Sequence, residues 1–306
     1  MAAGHDHGAD KHAVNRRRLA IAFAITSTIL LAEIVGALVT NSLALLVDAA
    51  HMLTDAAGLG TALFAAHLAR RPVSATRTWG YARAEVLSAT GQAAVLLAVG
   101  VFVIIEGVQR LFAPPEIASA GLLVFGVIGL LGNTASLLVL AAGRNANFNL
   151  RAAFLEVVND ALGSLAVILA AVAIAVTGWT GWDAVAGILI GVLIMPRAFK
   201  LLRETVNVLL ESTPTGLDLE DVRTHLLECS KVIDVHDLHA SQIATGLPVL
   251  TAHVVVEPDS FHDGTLHALL DDLQQCVAEH FDISVEHSTF QLEPAGHAEH
   301  EHTPHT

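Results

Sequence analysis

Long apolar segments dominate the first two thirds of the chain. A helix needs about 20 apolar residues to cross the hydrocarbon layer of a bilayer, so each of these segments predicts a transmembrane helix. The segments lie at residues 19–39, 43–69, 84–111, 118–141, 149–177 and 182–207. The first follows three arginines, is a full span long and precedes further spans, which excludes a cleaved signal peptide.

Positively charged residues occur in alternate loops. They lie in the N-terminal segment and in the loops after the second and fourth spans, whereas the other three loops have none. Because cytoplasmic loops carry the excess of Arg and Lys, this pattern predicts that both termini face the cytoplasm. The residues are Lys11, Arg16, Arg17, Arg18, Arg70, Arg71, Arg77, Arg83, Arg144 and Arg151.

From residue 211 the pattern becomes that of a small soluble domain. Helix breakers at 212–216 end the apolar region. Helical spacing is found at 219–229 and 265–281, and strands are predicted at 235–243, 249–257 and 284–292, with Thr245-Gly246 joining the first two strands. The predicted order is αββαβ, with the helices on one face of the sheet.

The chain is therefore predicted to be an α-helical membrane protein of six transmembrane helices with a C-terminal cytoplasmic α+β domain. Four parts are expected: a His-containing cytoplasmic segment at 1–18, the helical membrane domain at 19–210, the cytoplasmic domain at 211–294, and a disordered His-rich tail at 295–306.

Composition agrees with a membrane protein. Hydrophobic residues make up 53% of the chain and charged residues 15%, against about 25% charged in a typical soluble domain. The formal charge of -14 argues against nucleic acid as a partner. The two cysteines, Cys229 and Cys276, are far apart in sequence, so neither a thiolate zinc site nor a disulfide framework is indicated and buried thiols are expected.

Several acidic side chains and a histidine fall inside the predicted spans. Each buried carboxylate costs about 2.5–3.5 kcal/mol at mid-membrane, so these groups need partners. They are Glu33, Asp48, His51, Asp55, Glu106, Glu156 and Asp160.

Helical spacing groups some of these residues. Asp48, His51 and Asp55 share one stripe of the second span, and Glu156 and Asp160 lie one turn apart on the fifth. Asp55 is about twelve residues, or roughly 18 Å, from the outer end of its span, and Asp160 is at a similar depth. We expect His51, Asp55, Glu156 and Asp160 to converge as four metal ligands, with Asp48 a fourth-ligand alternative or a residue that orients His51.

Other interpretations of these residues remain open. Glu33 and Glu106, each alone in its span, fit structural residues that hydrogen-bond between helices. Four N and O ligands suit tetrahedral Zn²⁺, although carboxylate enrichment moves the preference toward harder ions such as Mn²⁺ or Fe²⁺.

The motifs around these residues resemble the cation diffusion facilitator family of zinc and heavy-metal exporters. The resemblance covers about residues 16–294. The segments that carry it are 41–55 (NSLALLVDAAHMLTD), 80–85 (GYARAE), 149–154 (NLRAAF) and 160–164 (DALGS). It implies six transmembrane helices, a metallochaperone-like cytoplasmic domain, a homodimer, and export of a divalent cation in exchange for protons by alternating access.

The resemblance also implies site residues in the membrane. The family's HxxxD motif on the second span corresponds to His51 and Asp55. On the fifth span Asp160 matches, but Glu156 stands where zinc exporters usually have His. The loop at 143–147 lacks the histidines often found there in zinc exporters; histidines instead lie at the two ends of the chain.

In the cytoplasmic domain the resemblance implies a regulatory metal site made by His236, His253 and Glu293, with Gln291 where some members have His. Arg83 and Glu211 correspond to a family charge pair between the membrane and cytoplasmic parts. Further candidates that the pattern does not rank are His239, His262, His267 and His287.

The sequence therefore favours a multi-pass cell-membrane transporter, not an enzyme, that exports Zn²⁺ and also binds it in its cytoplasmic domain. Export of Mn²⁺, Fe²⁺, Co²⁺ or Cd²⁺ is the first alternative, because of Glu156. A membrane metal sensor without transport is the second. An intramembrane metallohydrolase is disfavoured because HExxH is absent and Met52 follows His51.

Overall fold

A computed structural model describes residues 6–69, 71–141 and 148–297. Six long helices occur where the apolar segments predicted them, with ends that differ by a few residues except in the first, which begins at Asp6. Their bounds are α1 Asp6–Thr40, α2 Leu43–Ala69, α3 Arg83–Phe112, α4 Ser119–Ala141, α5 Phe148–Thr177 and α6 Gly181–Leu209.

Five of these helices are long and apolar enough to cross a membrane, and the crossing part of α1 is Ala20–Thr40. The remaining helix, α2, has 27 residues, enough to span about 40 Å at 1.5 Å per residue. Many large apolar side chains point outward, such as Leu38 and Val176, which are 78% and 80% exposed. In water such a surface would be unstable, whereas lipid covers it favourably.

Small residues let the membrane helices approach one another closely. A Cβ atom on Gly126 of α4 would lie 2.9 Å from the side chain of Ile168 on α5. The GxxxG pair of α6 also packs on neighbours, with Gly187 against Leu43 and Gly191 against Val103. Close backbone approach of this kind is how helices associate in lipid, where apolar burial gives little driving force.

A buried carboxylate holds the start of α2. Asp183, in the first turn of α6, accepts hydrogen bonds from the Ser42 hydroxyl and from the backbone N–H groups of Leu43 and Ala44, the last two at 2.6 and 3.4 Å. These N–H groups have no partner within the helix, and the positive end of the helix dipole favours an anion. Asp183 therefore fixes α2 to α6 at the end opposite Ala69.

The cytoplasmic domain has the predicted αββαβ order. Its elements are α7 Leu219–Leu227, β1 Val232–Ala244, β2 Leu247–Val256, a 3₁₀ turn Pro258–Phe261, α8 Leu266–Glu279 and β3 His287–Pro294. The strand order is β1-β2-β3; β1 and β2 are antiparallel and β2 and β3 are parallel. As predicted, Thr245-Gly246 forms the hairpin turn, where Gly246 has a φ of +71°. The third strand begins three residues later than predicted, because Val285 still packs in the core.

The sheet has two different faces. Leu250, Ala252 and Val254 of β2 are buried in a core with residues of α7 and α8. Because side chains alternate along a strand, His253 lies on the opposite face. β1 is irregular between His236 and His239, where the register shifts and Asp237 has a φ of +51°. This bulge places an aspartate beside the histidines of that face.

The chain divides into two compact units. One comprises Met1–Gly60 and Gly91–Lys200, and the other Thr61–Thr90 and Leu201–Thr306.

Replacement of the buried carboxylate by Asp183→Ala should destabilise the protein by about 1–3 kcal/mol, because it leaves buried donors at the start of α2 unsatisfied. Asp183→Asn, which keeps one acceptor oxygen, should be intermediate. Thermal unfolding of the purified protein in detergent measures both. Glu116→Ala is the control, since Glu116 is exposed in the loop before α4; equal stability of all three variants would contradict the role of Asp183.

Candidate metal centres

Three predicted ligands meet between α2 and α5. His51 Nε2 lies 3.5 Å from Asp55 Oδ2 and 3.9 Å from Glu156 Oε1. One ligand atom from each of the three residues falls within 4.8 Å of the others. His51 and Asp55 share a face of α2 because they are one turn apart, and Glu156 reaches them from α5. An imidazole and two carboxylates at this separation can coordinate a divalent cation.

Asp160, the fourth predicted ligand, lies one turn from Glu156 and is not part of this three-residue group. It is 3% exposed and interacts electrostatically with Asp48 and Glu33, each 2% exposed. These three carboxylates form a buried acidic layer beside the group. Glu33 therefore does not stand alone as the sequence suggested, because folding places it next to the acidic residues of two other helices.

Several polar atoms of this region lack a hydrogen-bond partner among the described residues. They are Glu33 Oε2, Asp48 Oδ2, His51 Nδ1, Asp55 Oδ2 and Asp160 Oδ1. Buried polar atoms are almost always satisfied, so such a concentration indicates a place for a proton, a water molecule or a cation.

The carboxylate of Asp48 packs closely against α5. A Cβ atom on Gly163 of α5 would lie 2.5 Å from Asp48 Oδ1, so a larger residue there would displace the carboxylate. By contrast Glu106, the other isolated acid, accepts a 2.9 Å hydrogen bond from Arg110 one turn along α3. This bond lies within α3, whereas the sequence suggested a hydrogen bond between helices for Glu106.

Arg197 of α6 is a member of the site that sequence analysis missed. Its two terminal nitrogens donate to the two oxygens of Glu156, each at 2.9 Å. A bidentate pair of this kind neutralises a carboxylate and occupies both of its oxygens. A cation within the sixth apolar segment, directly after Pro196, was the signal that could have revealed it.

An open pocket adjoins these residues. Its volume is about 420 Å³, and it is lined by residues of α2, α5 and α6 that include Asp48, His51, Gly163 and Arg197. Of the three grouped ligands, His51 borders this cavity.

A second group lies on the open face of the cytoplasmic sheet. His236 and His253 are directly opposite each other on β1 and β2, with ring centroids 5.3 Å apart. Glu293 of β3, 2% exposed, lies 3.0 Å from His236 Nε2 and 4.0 Å from His253 Nδ1. The structure thus brings together the three cytoplasmic residues that the family resemblance implied, and they too could hold a metal ion.

Three neighbours extend this group. Asp237, which the bulge of β1 places here, is 3.7 Å from His253 and 3.0 Å from His239. His297, assigned from sequence to the tail, is 3.8 Å from Glu293. Gln291 donates a 3.3 Å hydrogen bond to Glu293. The bulge could not be predicted, since it depends on backbone geometry rather than on a residue pattern.

Other predicted histidines lie elsewhere. His267 is exposed beside Asp271, and the His287 ring packs edge-on against Trp79 at 4.8 Å. His262 ends the 3₁₀ turn. Apart from His297, the histidines at the two ends of the chain, His5, His7, His12, His300, His302 and His305, fall outside the described side chains.

The structure also brings Arg83 and Glu211 together, with Nη2 2.7 Å from Oε1. Next to this pair, the Thr245 hydroxyl of the hairpin turn donates to Glu85 at 2.9 Å. The start of α3 thus contacts both the end of α6 and the β1–β2 turn.

Comparison with known proteins identifies the class of protein. The sequence model of the cation efflux transmembrane domain matches residues 19–210, and that of the cytoplasmic domain of cation efflux proteins matches residues 214–295. The chain therefore belongs to the cation diffusion facilitator family of multi-pass membrane proteins, and it is a secondary transporter of divalent metal cations rather than an enzyme.

Individual relatives match nearly end to end. The chain is 42% identical to the metal cation efflux system protein CzcD of Cupriavidus metallidurans, over 96% of this chain and 91% of that protein. It is 38% identical to the zinc transporter ZitB of Escherichia coli, over 96% and 93%. It is 34% identical to a cadmium, cobalt and zinc/H(+)-K(+) antiporter of Bacillus velezensis, also over 96% and 93%.

The Arg197 contact leads to a prediction about binding. Arg197→Gln should tighten Zn²⁺ binding at the membrane group by about fivefold, because a half-exposed ion pair contributes up to about 1 kcal/mol and the cation no longer has to displace it. Calorimetric titration of the full chain in detergent, in a background with His236→Ala, His253→Ala, Cys229→Ser and Cys276→Ser, measures the change.

Arg203→Gln is the matched control, because Arg203 is an exposed arginine on the same helix. Weaker binding by Arg197→Gln than by the control would mean that Arg197 holds Glu156 in place for the metal instead of competing with it.

Proposed function

We propose that this transporter exports a divalent cation, Zn²⁺ foremost, in exchange for protons, and that His51, Asp55, Glu156 and Asp160 bind the cation on its way. The observation that carries the proposal is the meeting of His51, Asp55 and Glu156 from two membrane helices, with ligand atoms within 4.8 Å of one another. Membership of the cation efflux family supports the same general activity.

Asp160 joins this set as the fourth ligand when the cation binds. It lies on α5 one turn from Glu156 and has an oxygen without a hydrogen-bond partner among the described residues. Completing a tetrahedron with Asp160 requires movement of α2 against α5, and alternating access involves movement of this kind. Asp48, held against Gly163, supports the site from behind.

Proton exchange follows from the chemistry of the ligands. A metal ion and a proton compete for the same lone pair of an imidazole or a carboxylate, so binding of the cation releases protons and its departure takes them up. His51 is suited to this exchange, because imidazole titrates near neutral pH. One or two protons per metal ion are both compatible with this set.

Arg197 provides a positive charge of the protein itself beside the proposed transport site. In the structure the guanidinium holds both oxygens of Glu156, and a metal ion must displace at least one of these bonds. The three proposed carboxylate ligands, Arg197 and one dication together sum to zero formal charge, and a neutral loaded site suits the low dielectric of the membrane interior.

The choice of metal rests on the relatives and on Glu156. Relatives are named for zinc, for cadmium, cobalt and zinc, and for metal cations generally, which favours Zn²⁺. Glu156 in place of the usual His makes the site harder, so Mn²⁺, Fe²⁺, Co²⁺ and Cd²⁺ are the alternative cargo.

The cytoplasmic group has a regulatory role in this proposal. His236, His253 and Glu293 bind Zn²⁺ from the cytoplasm and report its level to the membrane domain, with the Arg83–Glu211 pair at the connection. The buried Glu293 between two imidazoles supports binding there. Sensing thus accompanies transport and does not replace it.

The assembly and its orientation complete the proposal. The membrane domain comprises 19–210 and the regulatory domain 211–294, and two copies form a homodimer as the family resemblance implies. The chain lies in a bacterial inner membrane with both termini in the cytoplasm, in agreement with the distribution of Arg and Lys.

Loss of a proposed ligand should abolish transport without preventing insertion. Asp55→Asn and Asp160→Asn each remove a ligand charge while lowering the cost of burial, so Zn²⁺ flux into proteoliposomes should fall to background. Glu106→Gln is the matched control, an intramembrane carboxylate paired with Arg110, and should retain flux. Flux at the wild-type level in Asp55→Asn or Asp160→Asn would remove that residue from the site.

Exchange with protons is tested in the same vesicles. With a pH dye inside, Zn²⁺ movement should be accompanied by proton movement in the opposite direction, and an imposed pH gradient alone should drive Zn²⁺ uphill. Zn²⁺ movement that ignores the gradient would contradict exchange while leaving cation transport itself in place.

Glu156→His should shift selectivity toward Zn²⁺ and Cd²⁺ relative to Mn²⁺ and Fe²⁺. The substitution replaces a hard oxygen ligand by an imidazole nitrogen, from which softer ions gain most. Competing fluxes of Zn²⁺ and Mn²⁺ measure the ratio. An unchanged or lower ratio would mean that Glu156 does not bind the cation, and the site would then be His51, Asp55 and Asp160 completed by Asp48 or water.

A further inference from the structure

Two histidine–cysteine pairs lie at the ends of the cytoplasmic helices. His225 is on α7 and Cys229 follows four residues later, just past the helix end; Cys276 is on α8 and His280 caps it four residues later. A spacing of four places both members of each pair on the same side of a helix. Each pair alone therefore presents one imidazole and one thiol in the same direction.

The fold turns these two pairs toward each other. They line one pocket of about 430 Å³ between α7 and α8, together with Glu228 and Asp272. The His225 and His280 rings have centroids 6.3 Å apart. Cys276 is 5% exposed and Cys229 half-buried, and the two thiols interact with each other. Because 46 residues separate Cys229 from Cys276 in the chain, the sequence pattern did not predict this arrangement.

His225 is already oriented as metal ligands usually are. Its Nδ1 lies 2.9 Å from the backbone carbonyl of Asp221, an oxygen that can only accept. A hydrogen bond from Nδ1 to this oxygen leaves Nε2 available to a metal ion. Metal-binding histidines typically donate their second ring N–H to such an acceptor. The Phe281 ring, 5.0 Å away, packs against the imidazole from the side.

The electrostatics of the pocket favour a cation. Burial and the neighbouring carboxylates raise the pKa of the Cys229 thiol, and burial, Cys229 and Glu228 raise that of Cys276 to about 11. Coordination to a dication deprotonates a thiol, and the nearby carboxylates Glu228 and Asp272 attract a cation to the pocket.

We propose that His225, Cys229, Cys276 and His280 form a Cys₂His₂ site for a borderline or soft divalent ion, Zn²⁺ or Cd²⁺. Such a site is distinct from the group of His236, His253 and Glu293 on the opposite face of the sheet. Tetrahedral coordination with metal–nitrogen bonds of about 2.0–2.1 Å brings two imidazole centroids to roughly 5 Å, so the rings need to close by about 1 Å. No three ligand atoms of this set lie within 4.8 Å of one another in the described residues, so a bound ion requires rotation of side chains from both pairs.

The site would tie α7 to α8 and respond to softer ions than the oxygen-rich groups elsewhere in the chain. Thiolate ligands discriminate against harder ions such as Mn²⁺ and Fe²⁺. The cytoplasmic domain would then distinguish Zn²⁺ and Cd²⁺ from harder ions by a chemistry that the membrane site lacks. This inference does not depend on which metal is transported or on proton exchange.

Titration of the full chain in detergent with Cd²⁺, in the presence of a non-thiol reductant, tests the site. Thiolate-to-Cd²⁺ charge transfer absorbs in the ultraviolet, and the chain has only two cysteines, so the band can arise only here. We expect saturation at one Cd²⁺ per chain with the intensity of two thiolates. Cys229→Ser and Cys276→Ser should each halve the band, and the double variant should abolish it.

Two further sets of variants make the result specific. His225→Ala and His280→Ala should keep the band but weaken Cd²⁺ affinity by roughly tenfold or more. His236→Ala with His253→Ala is the matched control on the other face and should leave the band unchanged. Co²⁺ should give the intense visible bands of tetrahedral coordination in the wild type and lose them in the double cysteine variant.

Absence of the band from the reduced, folded wild-type chain would overturn the proposal. So would the intensity of a single thiolate, or affinity that is unaffected by both histidine substitutions. Thermal unfolding of each variant without metal checks its fold, and Cys276→Ala replaces Cys276→Ser if the buried hydroxyl is destabilising. The absorption measurement needs no metal flux, so its result tests the Cys₂His₂ site independently of the proposed transport site.

Discussion

Burial of carboxylates away from water is the constraint around which the membrane helices are arranged. Among the described membrane helices, several buried acidic side chains accept hydrogen bonds from a cationic or backbone donor, and others lie close to one another. Asp183 is compensated by the start of α2, Glu106 by Arg110, and Glu156 by Arg197. The acidic layer of Glu33, Asp48 and Asp160 instead has unsatisfied oxygens, and it is next to this layer that we place the transported cation.

The same constraint operates in the cytoplasmic domain. Glu293 is almost completely buried on the face of the sheet opposite α7 and α8, and imidazoles cover it. On the helical side, thiols and imidazoles share a pocket with two carboxylates. In both places side chains that can bind a metal ion lie next to an acidic group.

The sequence predicted the outline of the fold well. Apolar length placed all six long helices, and alternation with turn residues placed the αββαβ domain, because these patterns depend on local spacing alone. The convergence of His51, Asp55 and Glu156, and of His236, His253 and Glu293, also followed from motifs. What sequence could not give were contacts that depend on how distant elements pack. Arg197 lies 41 residues from its partner in the chain and Asp183 lies 141 residues from its partner. The facing pairs of α7 and α8 are separated by more than 40 residues. The bulge that places Asp237 beside the histidines depends on backbone geometry.

The contact between Gly163 and Asp48 has a consequence for how such sequences can diverge. There is no room for a methyl group at position 163 while the carboxylate of residue 48 occupies its place, and a tightly packed interior cannot absorb the overlap at low cost. A larger residue at 163 is compatible with the fold only if residue 48 becomes shorter or turns away. Although they are 115 positions apart in the chain, the two sites are therefore coupled: in a homologue with alanine or serine at the first, the second either differs from aspartate or has its carboxylate turned away from α5.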